Sequence, residues 1–344
     1  WRELDLPHDW SIEGEFSQDN PATPGGGALP GGIGWYRKTF RMNAADRERL
    51  TYISFDGVYR NSEVWINGNY LGKWPYGYSS FRYELTPWLK YGEEENVVAV
   101  KVDNSAQPNS RWYSGSGIYR NVWLTTTDKI AVDHWGTFVT TPEVSTGAAL
   151  VRVSTEIRNS TGSKAILRLE TTIYDADDRR VAKTETDQVE VPSTGTTVAQ
   201  ELTVKNPGLW SVDNPQLYRV VTTIRSGQLL ADSYETVIGI RSFEFDREKG
   251  FVLNDEPVTI RGVCNHHDLG CLGAAVNTRA LERQLEILKE MGCNGIRTSH
   301  NPPAPELLDL CDRMGFIVMD EAFDIWKTGK TEFDYHLDFD EWHR

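Results

Sequence analysis

Three short polar clusters between Pro257 and Trp326 hold the residue types that chemistry needs. His266, His267 and Asp268 form the first, Arg297, His300 and Asn301 the second, and Asp320, Glu321 and Trp326 the third. Imidazoles move protons or hydrogen-bond hydroxyls, carboxylates serve as acids, bases or nucleophiles, and a nearby arginine keeps a carboxylate ionised. Each residue alone has a structural reading: a satisfied histidine, an arginine neutralising a neighbour, a loop that starts a helix. Together they mark a site, because each cluster closes a segment that reads as a strand.

Those segments are Pro257–Asp268, Cys293–Asn301 and Phe316–Trp326, and helical stretches separate them. Leu281, Leu285 and Leu288 share one helix face ahead of Gly292. Pro305 opens the next helix, with Leu307, Leu308, Cys311 and Met314 expected inward and Gly315 after it. Strand, helix, parallel strand is the repeat of a (β/α)8 barrel, whose ligands meet residues at the carboxyl ends of the strands. A full barrel takes roughly 250 residues, so the expectation is an incomplete barrel over 241–344. Adjacent strand residues point to opposite faces, which lets at most one of Asp320 and Glu321 face the mouth. No second carboxylate partner for a two-carboxylate reaction is apparent. His266, His300 and Glu321 could be gathered around a metal, but no close-spaced ligand motif supports one. There is no Gly-rich phosphate loop.

Upstream the pattern is β. Over 1–127 short alternating strands, among them Trp35–Arg41, Glu63–Ile66 and Asn96–Asp103, predict a jelly-roll sandwich. Asn67-Gly68 marks a hairpin, and the Gly- and Pro-rich stretch Pro21–Gly34 reads as a surface loop. Over 128–240 about seven strands predict an immunoglobulin-like sandwich without a cysteine pair, and nothing in it looks chemical.

The chain of 344 residues has 39% hydrophobic residues and a net charge of −14. It contains no apolar run long enough for a membrane span. The acidic balance argues against nucleic acid or an anionic membrane as partner. Twelve Trp and fourteen Tyr are read first as sheet cores and secondly as platforms for sugars. The cysteines, Cys264, Cys271, Cys293 and Cys311, fit no zinc spacing and are expected as buried free thiols.

The chain resembles the family-2 glycoside hydrolases, especially the β-galactosidase-like members. The segments that carry the resemblance are Trp112–Trp123, Ile260–His267, Ile296–Pro303 and Leu310–Ala322, in the order sandwich, immunoglobulin-like domain, barrel. The resemblance implies a retaining exo-β-glycosidase with two catalytic glutamates, both expected beyond residue 344, so that this chain alone is inactive. His266 and His300 match histidines that contact the sugar at the non-reducing end. Arg297 matches an arginine that keeps the nucleophile ionised, and Asn301 and Glu321 match residues lining or bracing the same mouth. His267, Asp268 and Asp320 are expected to support them.

Two departures stand out. Ile325, Trp326 and Lys327 occupy the place of a magnesium-binding Glu-x-His, so no metal and no cofactor is expected. Positions near Gly31 and Arg111 replace an Asn and an Asp that contact galactose, which leaves Arg111 and Trp326 as candidates for recognising the sugar in another way. The expectation is the N-terminal part of a secreted or periplasmic β-glycosidase acting on oligosaccharides or glycan ends, with a homo-oligomer left open. β-Glucuronidase, β-mannosidase and a non-catalytic carbohydrate-binding protein are the alternatives.

Overall fold

The computed structural model describes residues 1–343. The chain forms two compact units. One takes in Trp1–Thr126, Gly262–Leu310 and the residues from Val318 onward; the other takes in Thr127–Arg261 and Cys311–Ile317.

The first unit begins with a jelly-roll sandwich. Its strands are β1 (Gly32–Phe40), β2 (Leu50–Phe55), β3 (Ser62–Ile66), β4 (Asn69–Trp74), β5 (Phe81–Glu84), β6 (Asn96–Asn104) and β7 (Val122–Thr127). They form two sheets, in the orders β1-β6-β3-β4 and β5-β2-β7. Along β6 every second residue from Asn96 to Asn104 is buried. Val98, Val100 and Val102 join Ile53, Phe55, Val64, Ile66 and Phe81 in one core. Fully burying such a side chain stabilises by about 1.5–3 kcal/mol, and a one-residue slip would turn the whole set outward, so the alternation fixes the register. Asn67 and Gly68 both take positive φ, 50° and 84°, as a two-residue hairpin turn requires.

The stretch Pro21–Gly34 differs from a plain surface loop. Leu29 and Ala22 are buried anchors, and Gly32–Gly34 belong to β1. The Trp10 ring lies so close to Gly34 that a Cβ there would come within 2.5 Å of it. Apolar anchoring therefore orders a segment whose composition suggests looseness.

The second unit holds the immunoglobulin-like sandwich. Its strands are β8 (Ile130–Val144), β9 (Ala148–Asn159), β10 (Ala165–Tyr174), β11 (Arg180–Val191), β12 (Thr196–Lys205), β13 (Tyr218–Ser226) and β14 (Leu229–Ile238). The sheets run β11-β10-β13-β14 and β12-β9-β8. An antiparallel meander follows: β15 (Phe243–Asp246), β16 (Gly250–Leu253) and β17 (Glu256–Pro257). The sequence had suggested a strand running on from Pro257. Instead β17 ends at Pro257 and the next strand begins only at Gly262; before β17, Asn254 and Asp255, with φ of 52° and 68°, turn the chain so that Leu253 pairs with Glu256.

Parallel pairing starts at β18 (Gly262–Asn265), beside β19 (Gly295–Thr298), with β20 (Ile317–Met319) beyond it. Helix α1 (Thr278–Glu290) links β18 to β19. Asn277 caps it, its side chain accepting the Ala280 N–H at 3.0 Å, and Gly292 follows with φ 84°. Helix α2 (Pro305–Met314) links β19 to β20, and a short α3 (Phe339–Trp342) lies further on. In α2 the inward positions include Leu310 and Cys311, while Leu308 is exposed. At about 100° per residue 307, 310, 311 and 314 cluster on one stripe, and 308 lies beyond its edge. Two cysteines also depart from expectation, since Cys264 and Cys271 are exposed free thiols. Among the described residues no helix is long and apolar enough to cross a membrane.

Candidate active site

The ends of β19 and β20 bring the central residues together. Arg297 donates through Nε to Glu321, and the other Glu321 oxygen meets His300 Nδ1 at 2.8 Å. Thr298 stands between the two acidic neighbours: its hydroxyl donates to Asp320 at 3.2 Å and accepts the Glu321 N–H at 3.2 Å. Asp320 and Glu321 therefore point apart, as adjacent residues leaving a strand must. Only Glu321 joins Arg297 and His300.

His266, one residue past the end of β18, meets His300 edge to face at 5.6 Å and stacks on Trp112 at 5.4 Å. Burial, with a further push from His300, lowers the His266 pKa, so the imidazole favours its neutral form. A neutral ring offers one donor and one acceptor, which suits hydroxyl recognition.

His267 turns the other way. Its ring packs edge-on against Tyr78 and Tyr119, and its Nε2 lies 3.2 Å from the Ser114 carbonyl. Desolvation, helped by the positive charge of Arg120, pushes its pKa down to about 3. A neutral ring facing a carbonyl must carry its proton on Nε2. Asp268 makes local contacts, its carboxylate accepting the Gly270 N–H at 3.4 Å. Asn301 is buried, and its side-chain nitrogen has no partner among the described residues.

The jelly roll builds the opposite wall. Arg120, 2% exposed, donates to the Tyr78 and Asp56 carbonyls at 2.9 and 3.3 Å, and to Pro302 and Pro303 at 2.7 and 3.1 Å. It thereby fastens the Trp112–Trp123 segment to the loop that carries His300. Asp9 acts similarly, accepting the Ser116 and Ala274 N–H groups, both at 2.9 Å. The Trp112 indole N–H donates to the Tyr78 hydroxyl at 3.0 Å, which fixes the ring beside His266 and His300.

Between the walls lies a cleft of about 40 Å³, whose lining includes Tyr76, Arg111, Trp112, His300, Asp324 and Lys330. Arg111 contacts both Asp324 oxygens, at 2.9 and 3.0 Å, and Lys330 Nζ lies 2.8 Å from one of them. Burial alone would raise the Asp324 pKa, but the hydrogen bonds from Lys330 and Arg111 outweigh it and hold the carboxyl below its ordinary range. Trp326 is not part of this lining: it is 66% exposed and stacks on Phe339 at 6.1 Å. Among the described residues no cluster of three or more His, Cys, Asp or Glu could hold a metal ion.

Sequence reasoning did not single out Trp112, Asp324 or Lys330. Asp324 follows Glu321 by three residues, close enough to have been suspected. Nothing local in the sequence links it to Arg111.

Three family models match the chain in succession: the sugar binding domain of glycosyl hydrolases family 2 over 23–128, the model described as glycosyl hydrolases family 2 over 132–241, and its TIM barrel domain over 246–338. The chain belongs to glycosyl hydrolase family 2. Among relatives in the family, the β-galactosidase BoGH2A of Bacteroides ovatus is 58% identical over 343 residues, covering 100% of this chain and 40% of the relative. A putative β-glucuronidase of Formosa agariphila is 41% identical, covering 99% of this chain and 32% of its own. A solved family-2 structure from Bacteroides cellulosilyticus superimposes with a TM-score of 0.96 at 41% identity, covering 99% of this chain and 44% of that one. The chain thus spans less than half the length of these family-2 proteins.

Proposed function

We propose that the whole protein is a retaining exo-β-glycosidase of β-galactosidase type that hydrolyses terminal β-linked sugars of oligosaccharides or glycans. The observation that carries this reading is the joining of His266, Arg297, His300 and Glu321 at parallel strand ends with Trp112 of the jelly roll. The β-galactosidase relative at 58% identity supports it over the uronide alternative, whose relative is 41% identical.

In this reading His266 and His300 hydrogen-bond the hydroxyls of the non-reducing sugar, and Trp112 offers an apolar surface beside them. Arg297, held by Glu321, presents positive charge where a carboxylate nucleophile would need to stay ionised. The acid/base and nucleophile glutamates are expected beyond residue 344. Glu321 is a bracing residue here, since its oxygens already face Arg297 and His300.

The experiment compares the full-length polypeptide with residues 1–344 on a panel of aryl β-glycosides. Turnover of the β-galactoside by the long form alone is the expected result. Turnover by residues 1–344 would refute the placing of the glutamates, and a long form inert to every β-glycoside would refute the enzyme.

A further inference from the structure

Arg111, Asp324 and Lys330 form a charged trio at the cleft that neither the fold nor the Arg297–Glu321–His300 group accounts for. The Asp324 side chain is only 7% exposed, while Arg111 and Lys330 are 49% and 44% exposed. Arg111 uses a single nitrogen, Nη2, for both carboxylate oxygens. Its Nε and Nη1 groups have no partner among the described residues. One Asp324 oxygen takes two of the bonds and the other takes one, so the carboxylate keeps acceptor capacity.

The trio is held from behind. Lys330 Nζ also donates to the Asp324 carbonyl at 2.8 Å. Buried Asp334 accepts the Lys330 and Thr331 N–H groups at 2.7 and 2.6 Å. The Tyr76 hydroxyl donates to the Ala322 carbonyl at 2.8 Å, and Phe323 stacks on Tyr335 at 5.3 Å. A donor and an acceptor are thereby set side by side on a rigid support, at the same cleft as Trp112 and His300.

We propose that Arg111 and Asp324 are the hydroxyl-reading pair of the substrate site, selecting a neutral sugar through two neighbouring hydroxyls, with Lys330 as positioning residue. One hydroxyl donates to Asp324, and the next accepts from the free N–H groups of Arg111. A uronate would have to compete with Asp324 for the same guanidinium while facing its negative charge. The inference rests on the glycosidase reading above and adds the sugar class and the residues that choose it.

The test uses the full-length protein, wild type and Asp324→Asn, with an aryl β-galactoside, its single-deoxy analogues and an aryl β-glucuronide. Loss of a hydrogen bond to a charged group is expected to lower kcat/KM for the galactoside by about 10- to 100-fold. One deoxy analogue should already show that loss with the wild type and suffer no further loss in the variant. Arg111→Lys, which keeps the charge but not the planar fork, should repeat the pattern on the neighbouring hydroxyl, and it carries the comparison if Asp324→Asn fails to fold. Equal losses on every substrate, or none, would overturn the inference and leave the glycosidase reading standing. A wild type that prefers the glucuronide overturns the inference together with the choice of sugar. One that cuts nothing in the panel removes the reading beneath both.

Discussion

A histidine that must stay neutral, His267, follows one that packs against Trp112 and His300. Its folded pKa is pushed down to about 3, below the 6.5 of an unperturbed ring. Between those values the unfolded chain takes up a proton that the folded chain refuses, so unfolding becomes easier as the medium is acidified. The stability this neutral ring provides is complete above about pH 6.5 and is lost as the pH falls below it. His267→Gln keeps an N–H for the Ser114 carbonyl and does not titrate. Thermal melts at pH 7 and pH 5 should show a smaller drop in Tm for the variant than for the wild type, and equal drops would put the acid sensitivity elsewhere. Legibility at this scale followed strand ends. Arg297, His300 and Glu321 could be picked out because each closes a strand or directly follows one. The Arg111–Asp324 pair could not, because its partners lie 213 residues apart and meet only through the fold.

The elements that position the site are fixed by a few local devices, and the most consequential is Arg120. Its guanidinium satisfies carbonyls on both sides of the cleft, at Tyr78 and at Pro302 and Pro303. Arg120→Ala leaves those buried acceptors without donors and opens a hole, for a cost of about 3 to 5 kcal/mol. Urea denaturation should show a midpoint shift on that scale, whereas a shift below about 0.5 kcal/mol, as at an ordinary surface site, would remove Arg120 as the fastener. Other devices were legible in the sequence, and the reasons differ case by case. Asn67-Gly68 and the Asn277 cap act within a few residues, so residue type alone predicts them. Asn254-Asp255 also turns the chain through two positive φ values but lacks the glycine that marks Asn67-Gly68, so residue type alone does not announce it. Leu308 lies off the buried side because, at about 100° per residue, it falls well away from the centre of the stripe that 307, 310, 311 and 314 share. The seating of Trp10 on Gly34 depends on a ring distant in sequence, so composition alone suggested a loop.

At the scale of the molecule the chain holds two units with separate cores. Ile53, Val64, Phe81 and Val100 belong to one, and Val151, Ile173, Leu202 and Val220 to the other. Chains with more than one core commonly depart from two-state unfolding, each core melting by its own balance of burial and chain entropy. Each sandwich buries many apolar side chains worth about 1.5–3 kcal/mol apiece. The cores should therefore dominate. Scanning calorimetry of residues 1–344 is expected to resolve two transitions. Arg120→Ala should lower one of them by several degrees, as a loss of a few kcal/mol does for a domain of this size, and leave the other in place. A single transition that moves as a whole with Arg120→Ala would mean that the coupling outweighs the separate cores.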